Sequence, residues 1–176
     1  MLTNRVEIRH ALRDDIYDIA VLLHNSWRAE YRLIISLDYL DALSVEERHI
    51  GLLKRYDENV SEFLMMFDGN KLIGAAVFGN SFTEGYAVDG EISAIYLHGE
   101  YIGKGYGHRL FVKTEQLLRN KGYQYFILDL LADNTRALNF YLKHGYRKVA
   151  DRKLKLGEKE YPIAVLRKKN DSADWL

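Results

Sequence analysis

The 176-residue chain contains no cysteine, which excludes disulfides, thiolate-ligated zinc and any covalent acyl-cysteine intermediate. It also lacks net charge, because 25 Lys and Arg balance 25 Asp and Glu. No overall field therefore draws in nucleic acid or an anionic membrane, and the expected partner is small or locally recognised. Nor is there a long apolar run near the start. Met1 to His10 alternates charged and apolar residues, so the sequence predicts neither a signal peptide nor a membrane span, and the cytoplasm is the default location. Internal repeats and low-complexity tracts are missing as well. A chain of this length and evenness is expected to fold as one domain over residues 1–168, followed by a polar tail over 169–176.

What is present reads in order. Val6 to Arg9 alternates like a strand, and Asp14 and Asp15 precede Ile16, Ile19, Ala20, Leu23 and Trp27 at helical spacing. Ser44-Val45-Glu46-Glu47 has the form of a capping box and predicts a second helix to about Tyr56. Phe63 to Phe67 and Leu72 to Phe78, separated by Asp68-Gly69-Asn70, predict an antiparallel hairpin. From Glu91 to Gly145 a strand, a glycine loop, a helix with Leu110, Phe111, Leu117 and Leu118 on one face, an apolar strand at Tyr125 to Leu131 and a further helix follow one another. That order predicts a right-handed crossover between parallel strands, with the helix start at their carboxyl ends, where open α/β sheets bind ligands. Tyr146 to Leu156 and Glu160 to Arg167 read as a closing hairpin around Gly157-Glu158. The fold class is thus α/β, a mixed central sheet of about seven strands flanked by helices.

The first motif is Gly103-Lys104-Gly105-Tyr106-Gly107, between a strand and a helix. Glycines let the main chain approach anionic oxygens, and bare N–H groups with the helix dipole favour a phosphate there. Lys104, His108 or Arg109 could add charge at the rim. A triphosphate-gripping loop needs Ser or Thr after Gly-Lys, and Gly105 stands there instead. A dinucleotide fold places its glycines directly after the first strand, whereas here about ninety residues precede them. A glycine-rich helix entrance with no ligand is the remaining alternative.

The second motif runs Asn134-Thr135-Arg136-Ala137-Leu138-Asn139-Phe140-Tyr141-Leu142-Lys143-His144-Gly145-Tyr146. Alone it reads as an amphipathic helix with an Asn or Thr cap and a Gly stop. The two motifs together, in this order, resemble the coenzyme A site of the GCN5-related N-acetyltransferase (GNAT) family. Ile102 to Gly107 occupies that family's glycine loop, with Gly105 and Gly107 matching and Ile102 replacing the usual Arg or Gln. Asn134, Ala137, Phe140, Tyr141, Gly145 and Tyr146 match its later pattern. The likeness runs from about Leu72 to Val149, with looser similarity to one branch at Ser26-Trp27-Arg28, Tyr31, Leu40 and Asp41.

The resemblance implies the acyl-CoA N-acyltransferase fold and transfer of an acetyl group from acetyl-CoA, as co-substrate, to a primary amine of a small molecule, with no metal. Its implied cofactor contacts are Ile95, Tyr96, Leu97, Ile102, Gly103, Lys104, Gly105, Tyr106, Gly107, His108, Asn134, Ala137 and Tyr141, the backbone of Ile95 to Leu97 facing the acyl oxygen. An arriving ammonium must lose a proton, so a carboxylate or ordered water is wanted beside it. Glu91 is the expected base, with Glu84, Asp89 and Glu100 as alternatives and a solvated strand end as the other role. Tyr141 is the expected acid for the leaving thiolate, its other role being core packing. Asn134 could equally cap its helix. Trp27, Glu30, Tyr31 and Tyr39 with Phe82 and Glu84 form an aromatic and acidic set that could hold a cationic amine or simply pack. A silent acyl-CoA-binding regulatory module and a protein N-terminal or lysine acetyltransferase are alternative functions, and family members often form homodimers.

Overall fold

The computed structural model describes residues 6–171. Its elements are β1 (Val6–His10), α1 (Ile16–Tyr31), α2 (Leu37–Ala42), α3 (Val45–Asp57), β2 (Ser61–Asp68), β3 (Lys71–Asn80), β4 (Gly90–Leu97), α4 (Tyr106–Asn120), β5 (Tyr125–Leu131), α5 (Thr135–Lys143), β6 (Arg147–Leu156) and β7 (Lys159–Lys169). They form one seven-stranded sheet in the order β1-β2-β3-β4-β5-β7-β6. Every neighbouring pair is antiparallel except β4 and β5, which are parallel. The mixed sheet and the crossover expected from the sequence are therefore both present, and α4 is the crossover helix.

The period of two along the strands sorts the core into two layers. Leu64, Met66, Ala76 and Phe78 pack with Leu110, Phe111 and Leu118 of α4 and with partly buried residues of α5. Their alternates Phe63, Met65, Ala75 and Val77 face Ile16, Ile19, Ala20 and Leu23 of α1 and Leu52 of α3. Ser44 caps α3 as its sequence implies, its Oγ accepting from the Glu47 N–H at 3.2 Å. Helix α2 escapes a periodicity argument because six residues bury only Leu40. It is held from outside by Tyr161, whose hydroxyl accepts from the Ser36 N–H at 3.0 Å.

Strand β7 inserts between β5 and β6 and runs to Lys169, one residue into the stretch read as a polar tail. Asn170 continues the contact by donating to the Gln124 carbonyl at 2.8 Å. Residues 172–176 of that tail, and Met1 to Arg5, lie outside the described residues. Among the described residues no helix is long and apolar enough to cross a membrane, and no group of three or more His, Asp or Glu is placed to hold a metal ion.

Candidate active site

The opening between β4 and β5 begins as a failure of pairing. Only Gly90↔Phe126 and Glu91↔Ile127 are in register before the two strands part. On the other side β4 stays paired with β3 as far as Gly74↔Leu97, but the register slips at Val77/Phe78, so that Ser93 has no partner. An unpaired extra residue bends its strand and increases its twist. The bend accompanies the parting of β4 from β5. A cavity of about 420 Å3 fills the gap, lined by Ile92 to Leu97 of β4 and Leu128 to Leu130 of β5.

The glycine loop forms one rim. Gly103 and Gly105 have φ of +78° and +87°, a conformation that side chains rarely adopt, and a Cβ at either position would meet no atom within 4 Å. The glycines are thus required by the turn and leave the rim open. Gly105 is the N-cap of α4, a fifteen-residue helix, so its first N–H groups and the positive end of its dipole face the same space. This cradle suits the pyrophosphate of coenzyme A: bare N–H groups, no side chain in the way, and a slot between strands for an extended chain. His108 lines the cavity beside it. His144 Nδ1 meets the Phe140 carbonyl at 2.8 Å and so must donate, which leaves its Nε2 to accept from His108 Nδ1, also at 2.8 Å. That chain of bonds ties the start of α4 to the end of α5.

Helix α5 forms the opposite wall. Asn134 caps it, with Oδ1 accepting from the Ala137 N–H at 3.1 Å, while its Nδ2 donates to Glu30 of α1 at 3.2 Å. Arg136 closes on the same Glu30 oxygen at 2.5 Å. Both ends of the Asn134 amide are therefore engaged, and its capping role is realised. Tyr141 faces the cavity with no protein hydrogen-bond partner for its hydroxyl among the described residues. Desolvation pushes its phenol pKa up, and Tyr31 and Glu30 nearby add to this. The hydroxyls of Tyr31 and Tyr96 meet at 3.0 Å, and burial raises the pKa of each. All three phenols accordingly stay protonated at neutral pH and can donate.

The carboxylates are sorted differently from the sequence expectation. Glu91 is buried (8% exposed) and does not line the cavity. Its Oε2 accepts from Ser81 Oγ, the Phe82 and Thr83 N–H groups and Thr83 Oγ1, at 2.8 to 3.2 Å. It anchors the β3–β4 loop. Asp89 is tied to Arg167 by two bonds of 2.6 and 2.9 Å. Glu100 pairs with Lys71, and Glu84 is exposed. None of the three lines the cavity either. A carboxylate that does line it is Asp129, on β5 between Leu128 and Leu130, which is also open to solvent. Its pKa is raised, first by desolvation and then by the charge of Glu91, with Arg152 and Thr83 pulling the other way.

The structure brings Ile95, Tyr96, Leu97, Ile102, Gly103, Gly105, Gly107, His108, Asn134, Ala137 and Tyr141 together around one space, with Tyr31 and Glu30. Lys104 and Tyr106 fall outside it. Lys104 lies over the Tyr101 ring at 5.9 Å, and Tyr106 packs edge-on against that ring at 5.5 Å. Trp27 is one layer back, against Tyr31 at 5.0 Å. Phe82 is more than half exposed, beneath the Arg55 guanidinium at 4.7 Å, and Glu84 contributes only its carbonyl, which accepts from Arg152. The sequence reading missed Asp129, although it is the one charge in the apolar run Tyr125 to Leu131.

Comparison with known proteins agrees with this geometry. Residues 20–146 match the acetyltransferase (GNAT) family. The chain is 31% identical to the uncharacterized N-acetyltransferase YuaI of Bacillus subtilis, over 97% of this chain and 92% of that protein. It is 26% identical to the spermidine N(1)-acetyltransferase of Thermoplasma acidophilum, over 81% and 88%. Among solved structures, it resembles the PaiA N-acetyltransferase of Thermoplasma acidophilum in complex with coenzyme A, with a TM-score of 0.74 at 23% identity over 94% and 99% of the two chains. It likewise resembles the ribosomal-protein-alanine N-acetyltransferase of Brucella melitensis, with a TM-score of 0.72 at 20% identity over 93% and 99%.

Proposed function

This chain belongs to the GNAT acetyltransferase family, and from that premise we propose that it acts as a single domain moving the acetyl group of acetyl-CoA to a primary amine of a small molecule, by direct attack with both substrates bound. The observation that carries this reading is the cavity running through the β4–β5 opening, with a glycine-lined helix start at one rim and the Asp129 carboxylate at the other face.

Acetyl-CoA supplies a thioester carbonyl as the electrophile. The glycine loop and the start of α4 hold its phosphates by backbone N–H groups. The β4 backbone from Ala94 to Leu97, released from β5, offers donors to the acyl oxygen as negative charge gathers there. Asp129 takes a proton from the arriving ammonium, and its raised pKa brings it nearer to the pH at which it must work. The free amine then forms its bond to the acyl carbon as the carbon–sulfur bond breaks, and the second proton that the nitrogen sheds on becoming an amide passes through water to restore the Tyr141 phenol once that has protonated the sulfur. Tyr141 donates to the departing sulfur. Its raised pKa keeps the proton on the phenol beforehand.

Calorimetry with acetyl-CoA, followed by coenzyme A release across a panel of amines, tests the proposal. Micromolar binding with amine-dependent release is the expected result. Failure to bind acetyl-CoA would overturn the reading, and binding with no release to any amine would make the chain a silent acyl-CoA-binding module.

A further inference from the structure

Two histidines meet beside the glycine loop. His108 stands in the first turn of α4 and lines the cavity, and His144 directly follows α5. His144 is held in place. Its Nδ1 donates to the Phe140 carbonyl at 2.8 Å, and its ring packs against those of Phe111 and Phe140, with centroids 4.7 and 4.3 Å away. Its Nε2 lies 2.8 Å from His108 Nδ1, a separation that needs one proton shared between the rings. The remaining ring nitrogen, His108 Nε2, belongs to an exposed side chain and has no hydrogen-bond partner among the described residues.

Counting protons fixes what that nitrogen does. The uncharged pair holds two, one on His144 Nδ1 and one between the rings, which leaves His108 Nε2 a bare lone pair. A third proton keeps both existing bonds only by leaving an N–H at His108 Nε2, whichever ring retains the shared proton. Taking up one proton thus turns a single atom of the pair from acceptor to donor and spreads a positive charge over two rings. An ionised phosphate oxygen only accepts. It is repelled by the lone pair and forms a charge-assisted hydrogen bond with the N–H.

The other charges around the pair are turned to different partners or to solvent. Lys104 of the loop lies over Tyr101, Arg109 of α4 donates to the Val6 carbonyl, and Lys143 of α5 is exposed. Across the cavity Glu30 of α1 is paired with Arg136, Tyr141 keeps its proton, and Asp129 of β5 lines the other face. Among the described residues the histidines that meet a carboxylate are His10 and His98. Neither ring of the pair does, so a counter-charge has to come with the ligand.

Resting on the transferase reading above, we infer that His108 is a proton-gated phosphate ligand: it donates from Nε2 to an oxygen of the coenzyme A pyrophosphate, and the His108–His144 pair takes up a proton as the cofactor binds. The glycine loop offers its N–H groups at every pH, whereas this donor exists only in the protonated pair. Reciprocity then makes cofactor affinity fall as pH rises through the range in which the pair loses its proton.

Dephospho-coenzyme A is the probe, because its pyrophosphate stays ionised and it lacks the phosphomonoester of coenzyme A, which titrates in the same range. Calorimetry is run across about pH 5 to 8, where a histidine changes charge, in buffers of different ionisation enthalpy. The wild-type protein should bind about tenfold more weakly at the alkaline end, the lower range of a hydrogen bond to a charged group because the side chain is exposed. It should take up about half a proton near the midpoint, as a tenfold linkage requires. His108→Gln offers a donor that does not titrate, and His108→Arg a permanent cation. Both should show a flat profile and no uptake, and His108→Arg should keep its affinity at the alkaline end. If His108→Gln binds too weakly to measure, His108→Arg decides alone. Binding to the wild type without proton uptake overturns the inference, as does an unchanged slope in either variant. Binding of acetyl-CoA without binding of dephospho-coenzyme A also overturns it, since the pyrophosphate is then not the group recognised. Failure to bind either would instead remove the transferase reading itself.

Discussion

The two sides of the β4–β5 opening are built by different means. The cofactor side is mostly main chain: glycine N–H groups, the start of α4 and the freed edge of β4, drawn from one continuous stretch. The acceptor side is made of side chains that converge from α1, β4 and β5. Backbone recognition tolerates most side-chain changes but not a charge or a bulky group placed in its path. Side-chain recognition depends on each residue and can be retuned one residue at a time.

The sharpest way to break this comparison is to put a charge into the main-chain cradle. A Cβ on Gly107 meets only Leu97 Cδ1, at 3.4 Å, so Gly107→Glu should fold and lose acetyl-CoA affinity by about a hundredfold or more in calorimetry, with two negative charges brought together in a poorly screened site. Gly107→Gln, without the charge, should lose much less. Equal losses in the two variants would show that bulk and not charge is being read. Next comes Tyr141→Phe, which should cost ~10²- to 10⁴-fold in kcat, the range of a positioned acid. Its affinity for acetyl-CoA should stay near wild type, and a kcat within a factor of two would return Tyr141 to packing.

Asp129→Asn should lower kcat by about a hundredfold and erase the low-pH limb of the rate profile, where the wild-type rate climbs as the carboxyl ionises above the ordinary Asp range. The sign of its stability effect is the opposite. A folded pKa above the unfolded one means that the native state binds the proton more tightly, so stability falls as pH rises from the unfolded value through the folded one. At neutral pH the ionised Asp129 is therefore a cost, and Asp129→Asn should raise Tm while it removes activity. The smallest effect on chemistry is expected from Glu91→Gln, since Glu91 braces Ser81 to Thr83 from outside the cavity. It should loosen that loop to proteolysis and keep the low-pH limb, moved to lower pH because the charge that helps to raise the Asp129 pKa is gone. A Glu91→Gln profile lacking that limb would exchange the roles of the two carboxylates.

The same contrast explains what could be read in the sequence. Gly103 to Gly107 and Asn134 to Tyr146 announce themselves because each is contiguous and each residue does a local job: a left-handed turn, a cap, a helix face. The parting of β4 from β5 is invisible in either strand alone, because it arises from a bulge at Ser93 set against β3. Asp129 was legible as the single charge in an apolar strand, but nothing local says which face it takes. Glu91 looked suitable because it stands just before the site in the chain. Its actual partners, Ser81 to Thr83, reach it from the other side of a loop. Phe82 and Glu84 entered the acceptor set through the family resemblance, which points to the loop before β4, and tertiary packing turns them elsewhere.

Two rungs of pairing are all that join the β1–β4 half of the sheet to the β5–β7 half. A ligand that bonds to the freed edge of β4 supplies rungs that the polypeptide does not make for itself, and the folded state is then favoured by mass action. At a free concentration a hundred times its dissociation constant, such a ligand adds about 2.7 kcal/mol to stability. Under the proposed function that ligand is acetyl-CoA, and the stability of the fold is then expected to follow the concentration of the molecule that the reaction consumes.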